Sequence, residues 1–130
     1  MAQRVANDPV VTPEQAETAV RRYYELVDSG DVDGLLDLFA ADAEYRRPGY
    51  PPLVGREQLA RFYGEDRVIR AGRHSVHTVV AAGTEVAVTG GFAGVLKDGR
   101  EVDLQFADFF SVAADGLFAG RQTFFFAPMV

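Results

Sequence analysis

Hydrophobic positions recur with two different periods along the chain, and the change between them divides it in two. Ala16, Ala19, Val20, Tyr23, Leu26 and Val27 fall at three- and four-residue spacing, which places them on one face of a helix. Thr12 stands where an N-cap is needed, Pro13 suits the first turn, Gln15 completes a capping box, and Ser29-Gly30 supplies a left-handed stop. A second, short helix is expected after Asp31, with Val32, Leu35, Leu36 and Phe39 as its apolar stripe, released at Ala40-Ala41-Asp42. A third is expected from Gly55 to Tyr63, with Leu59, Phe62 and Tyr63 on one side. It follows a loop, Pro48-Gly49-Tyr50-Pro51-Pro52, that neither a helix nor a central strand accommodates.

From His74 the period shortens to two. His74–Ala82, Glu85–Leu96, Arg100–Ala113 and Leu117–Ala127 are rich in Val, Phe and Thr. They are separated by the turn sequences Gly83-Thr84, Lys97-Asp98-Gly99 and Ala114-Asp115-Gly116. This order predicts an antiparallel meander, and helices first with strands after is the signature of an α+β domain whose helices cover one face of the sheet. Gly90-Gly91 inside a strand predicts a bulge or bend that curves the sheet.

Parity along the third of these strands sets Val102, Leu104, Phe106, Asp108 and Phe110 on one face. Four apolar neighbours turn that face inward, so Asp108 is a carboxylate aimed into an apolar space, where a charge needs a partner or a shifted pKa. The first of the strands is less decisive, since neither of its faces is clearly the inner one. Counting from Glu85 favours His77 over His74 as the pocket-facing histidine and a competent base; a rim or edge position is the alternative. Arg46-Arg47 follows Tyr45 on a short strand, and alternation sends one arginine inward and the other to solvent. Phe39, Phe62, Phe92, Phe106, Phe124, Phe125 and Phe126 read most simply as core.

Length and composition narrow the classes. A chain of 130 residues fits one domain over 12–130 behind a tail of 1–11, and 48% hydrophobic against 25% charged residues is the balance of a folded protein. A net charge of -6 argues against nucleic-acid or anionic-membrane partners. With no cysteine, disulfides, thiolate metal sites and cysteine nucleophiles are excluded from this chain. The two histidines have no carboxylate at ligand spacing, so no metal is expected, and phosphate-binding glycine signatures are missing. The first residues hold no apolar run with basic flanks, so neither a secretory signal nor a membrane span is expected, and a cytoplasmic location follows by default.

The stretches Tyr23-Tyr24-Glu25-Leu26-Val27-Asp28-Ser29-Gly30-Asp31-Val32-Asp33-Gly34, Leu38-Phe39-Ala40-Ala41-Asp42-Ala43, Gly55-Arg56 to Phe62-Tyr63, and Ala107-Asp108-Phe109-Phe110 resemble, in kind and order, the nuclear transport factor two superfamily. Within it they are similar to the ketosteroid isomerase and SnoaL-like polyketide cyclase families. The resemblance implies a cone-shaped α+β barrel, three N-terminal helices packed on a curved mixed or antiparallel sheet that encloses a pocket. It places Tyr23 and Asp108 as hydrogen-bond donors to an enolate oxygen and Tyr63 as the support of Tyr23. Where the isomerases carry a proton-shuttling aspartate this chain has Arg47, which stays protonated and accepts no proton. SnoaL-like cyclases use an aspartate on the strand of Asp108 as base, so Asp108 or His77 is the expected base here.

The same resemblance turns Arg121, Thr123 and Phe125 toward the pocket, to bind substrate together with Arg47, Tyr63, Phe39, Phe62, Phe92 and Phe106. The expected function is cofactor-independent isomerisation or cyclisation of a small, largely apolar carbonyl compound of polyketide type, by a homodimer paired through its sheets near Phe124-Phe125-Phe126. The alternatives are epoxide opening, which needs a second carboxylate near Gln122 on the last strand, and ligand binding without catalysis.

Overall fold

The structure, a computed structural model, describes residues 11–127. Helix α1 (Pro13–Ser29) begins with the expected box: Thr12 Oγ1 accepts from the Gln15 amide at 3.1 Å, and the Gln15 side chain returns a bond to the Thr12 amide at 3.0 Å. Gly30 ends it at φ 76°, in the left-handed region that glycine enters without strain. Val11, which the sequence assigned to the tail, packs against the core, whereas 1–10 lie outside the described residues.

Helix α2 (Val32–Leu36) is shorter than its stripe suggested. Phe39 is not its last residue but the first of strand β1 (Phe39–Arg46), where it is buried all the same between the rings of Tyr23 and Phe118. A two-residue strand β2 (Leu53–Val54) leads into α3 (Gly55–Arg61). The helix then widens into a π-helical turn over Phe62–Asp66, closed by the Arg67 amide donating to the Phe62 carbonyl at 2.9 Å. This extra residue per turn buries Phe62 and Tyr63 together although they are sequence neighbours.

Strands β3 (Ile69–Ala82), β4 (Glu85–Leu96), β5 (Glu101–Val112) and β6 (Phe118–Phe125) form the expected meander. Their turns place Gly83, Gly99 and Gly116 at positive φ. β3 begins at Ile69, earlier than the period-two pattern indicated, because Arg70 is left unpaired where Ile69 and Ala71 face Leu96 and Val95. The sheet order is β2-β1-β6-β5-β4-β3, and β1 joins β6 in parallel, so the sheet is mixed and curved with helices on its concave face. Among the described residues no helix is long and apolar enough to cross a membrane.

The curve is built at the glycines of β4. Opposite Gly90 and Thr89, β3 carries an extra residue: Val76 pairs with Gly90, Thr78 with Thr89, and His77 between them has no partner. A Cβ on Gly90 would lie 2.3 Å from the Ser75 carbonyl oxygen and 2.8 Å from the Phe106 ring, so only a bare α-carbon lets the strands approach here. Gly91 has no such neighbour, its nearest contact being 3.5 Å away. Gly90→Ala is therefore expected to destabilise the fold by about 1–3 kcal/mol and Gly91→Ala to stay within about 1 kcal/mol of the parent, as read from urea midpoints.

Candidate functional site

The inner face of the sheet carries a buried polar cluster around Arg121 on β6. Register pairs Asp108 with Thr123 and Phe110 with Arg121, and strand alternation turns Arg121, Thr123 and Asp108 to the same side. Arg121 Nη2 donates to Asp108 Oδ2 at 2.8 Å, and the Tyr24 hydroxyl donates to the same oxygen. Thr123 Oγ1 donates to Asp108 Oδ1. Since that uses the one Thr123 proton, Tyr45, whose Oη lies 3.0 Å from Thr123 Oγ1, donates to it in turn. Three donors thus converge on Asp108, which is wholly buried.

The other arm of Arg121 reaches the phenols. Nη1 donates to Tyr23 Oη at 2.6 Å and to Tyr63 Oη at 3.1 Å, and the two phenol oxygens are 2.6 Å apart. The guanidinium is sandwiched between the rings of Tyr23 and Tyr45, at 4.6 and 4.5 Å from their centroids. Two phenols carry two protons, and one of these makes the bond between them. The second has no acceptor among the described residues and is free to meet a ligand oxygen.

Burial and then Asp108 set the charge states. Desolvation works against the Arg121 cation, but Asp108 and the surrounding tyrosines outweigh it and hold the group protonated. Desolvation pushes the Tyr63 phenol up to about 12 and the Tyr23 phenol well above its ordinary range, against the pull of Arg121. Tyr24 is raised by burial and by the neighbouring Asp108 carboxylate. All three phenols are neutral donors at physiological pH.

A cavity of about 160 Å³ opens over this cluster. Tyr23, Tyr63, Arg121 and Thr123 form its polar end, and Phe62, Phe92, Phe106 and Phe125 line its apolar walls. Arg47 also lines it, at the inward parity of Ala43 and Tyr45, while Arg46 points to solvent and pairs with Glu44. The volume is close to the roughly 150 Å³ that holds one aromatic ring. Val68, half exposed, marks where the cavity reaches the surface.

Three residues expected at the pocket are elsewhere. Asp108 does not line the cavity; it lies behind Arg121 and Thr123, with both oxygens engaged. Phe39 belongs to the core beneath Tyr23. His77 is exposed on the opposite face of β3, near Gly91, because the bulge at that residue reverses the parity on its N-terminal side. The inward histidine is His74. Of the phenylalanines read as core, Phe124 and Phe126 are exposed.

His74 lines the cavity and is held from behind by Asp28 of α1, which accepts from the His74 backbone amide at 2.8 Å and faces Nδ1 at 2.5 Å. The Asp28 carboxylate accepts from Nδ1–H, and Nε2 makes no hydrogen bond among the described residues, so in the neutral ring Nε2 is the acceptor. Tyr24 and Asp28 went unread as site residues, although an i,i+4 pair shares one helix face and so touches one patch of sheet. The Tyr24 ring lies 5.2 Å from His74.

A family model for the SnoaL-like domain matches residues 20–120. Among solved structures, the chain superposes with TM-score 0.78 and 18% identity on an epoxide hydrolase/cyclase-like enzyme of pyran ring formation in the polyether salinomycin, covering 87% of this chain and 92% of that one. A nuclear transport factor 2-like protein from Burkholderia pseudomallei gives 0.78 at 19% identity over 86% and 91%. A protein described as a ketosteroid isomerase from Kribbella flavida gives 0.74 at 24% identity over 90% and 82%. The orange carotenoid-binding protein of Limnospira maxima is 33% identical over an alignment 76 residues long that covers 49% of this chain and 24% of that protein, so the match spans about a quarter of that relative. The fold is that of the nuclear transport factor 2-like proteins. Within them, this chain belongs to the SnoaL-like domain family.

The raised phenols carry a linkage. A group whose folded pKa lies above its unfolded value stabilises the fold fully below the unfolded pKa, and that contribution is lost as pH rises through the folded one. Stability is expected to fall as pH climbs from the ordinary phenol value of 10 toward the value of about 12 held by Tyr63. Denaturation midpoints measured across that window check the slope, and phenolate absorbance must show Tyr23, Tyr24 and Tyr63 still protonated in the folded protein at pH near 11.

Proposed function

We propose that the cavity binds a small carbonyl compound of about one ring and moves a proton on the carbon next to the carbonyl, without a cofactor, as an isomerase or cyclase does. The observation that carries this is the presence on one cavity of a histidine backed by a carboxylate and of a phenol with an unused proton. His74 Nε2 takes the proton, and Asp28 holds the ring in the accepting tautomer and stabilises the imidazolium that forms. The Tyr23–Tyr63 phenol pair, polarised by Arg121, donates its one unused proton to the oxygen on which negative charge develops. Asp108 is a positioning residue here: it fixes Arg121 and so the direction of the phenol protons.

Epoxide opening by paired carboxylates is disfavoured, because no carboxylate lines the cavity among the described residues and Gln122 lies on the outer face. Binding without turnover is the second reading, and the likeness to a carotenoid-binding protein favours it. The two separate on one measurement, the exchange of α-protons for deuterium in a panel of ring-sized ketones. Catalysed exchange is expected, lowered about 10²–10⁴-fold in His74→Ala and by about tenfold or more in Asp28→Asn and Tyr23→Phe, in folded proteins. Exchange no faster than buffer across the panel sinks the catalytic reading.

We also place a homodimer contact on the outer sheet face. Phe109 and Phe124 lie 5.9 Å apart there and are 48% and 45% exposed, an apolar pair that the described residues leave uncovered. Sedimentation is expected to show a dimer that Phe109→Lys converts to monomer; a monomeric parent at micromolar concentration removes the contact.

A further inference from the structure

The cavity is lined by three guanidiniums, Arg47, Arg67 and Arg121, and by no carboxylate among the described residues, in a chain of net charge -6. Arg121 is balanced in charge by Asp108, although its Nε is also buried without a partner among the described residues. Arg47 and Arg67 are not balanced: neither side chain makes an ion pair or a hydrogen bond among the described residues, and the Nε atom of each is buried without a partner. Aromatic faces answer them only in part. The Arg47 guanidinium stands 5.1 Å from the Tyr50 ring centroid and 5.3 Å from those of Phe62 and Phe125, and that of Arg67 stands 6.0 Å from Tyr63. Ring faces hold a cation in place but leave its in-plane N–H groups without acceptors.

Burying a charged donor without an acceptor is costly, so a protein that keeps two such groups on one apolar cavity has a use for an anion there. We infer that the ligand carries a carboxylate, bound by Arg47 and Arg67 while its apolar body lies against the phenylalanine walls. A guanidinium presents paired N–H groups in the geometry of a carboxylate, which a lysine does not. Arg67 also borders an adjoining surface opening with Arg70 and Lys97, where three cations outnumber the single carboxylate of Asp28, which is turned to His74. The inference names the substrate class of the site proposed above and rests on that cavity being the ligand site, but not on the chemistry of His74.

Calorimetric titration with benzoate and benzamide separates the two, since these probes match in shape and differ in charge. Benzoate is expected to bind about tenfold or more tightly than benzamide. Arg47→Met and Arg67→Met are each expected to weaken benzoate binding about tenfold and so remove that preference, with urea midpoints close to that of the parent showing the fold intact. Equal affinity for the two probes, or tighter binding of benzamide, overturns the carboxylate assignment and leaves the cavity as a ligand site. Binding of neither probe overturns it as well, and the deuterium exchange by His74 then stands or falls on its own result.

Discussion

Arg121 and Asp108 sit on neighbouring strands with almost no access to water, and two charges removed from water are tolerated only when each is answered from every side. The interior meets that condition for all but Arg121 Nε, which is buried without a partner among the described residues. Tyr24 and Thr123 complete the carboxylate, Tyr23 and Tyr63 take the far arm of the guanidinium, and the rings of Tyr23 and Tyr45 cover its faces. Removing one member of such a pair costs about 3–5 kcal/mol, a large part of the roughly 5–15 kcal/mol that holds a domain of this size. The pair is thus a constraint on the fold before it is a part of any chemistry.

The chemistry follows from where that constraint leaves a proton over. Arg121 donates to both phenol oxygens and accepts nothing, so the phenols retain between them one proton with no acceptor among the described residues. Burial keeps the phenols neutral, and a neutral donor preset in a water-poor cavity stabilises a developing oxyanion without reorganising. Asp108, with three donors on its two oxygens, stands behind Arg121 and Thr123 and does not line the cavity. His74 has an open nitrogen on the cavity and a carboxylate behind it, and in the proposed reaction it is the base to the phenol end's donor.

Much of the fold was legible because its signals are local. The α1 cap at Thr12, the stop at Gly30 and the glycine turns at Gly83, Gly99 and Gly116 each depend on a few adjacent residues, and each lies where it was read. The inward parity of Val102 to Phe110 also held, since β5 is unbroken against both of its neighbours through Phe110. Phe39 was misread because a helical stripe and the start of a buried strand present the same apolar residue at that spacing.

The chain by itself pointed to part of the polar set and to the elements that carry it, namely the two histidines, Tyr23 of α1 and the acid on the inward face of β5, and it left Tyr24 and Asp28 unread. Only the tertiary structure decided their pairing. A single unpaired residue at His77 exchanges one histidine for the other at the cavity, and an arginine and an aspartate thirteen positions apart meet only because β5 and β6 fold back on each other in this register. Parity is a local property until a bulge resets it. A hydrogen bond between distant residues is never local, which is why the Asp28–His74 pair and the Tyr24–Asp108 bond could not be read from spacing.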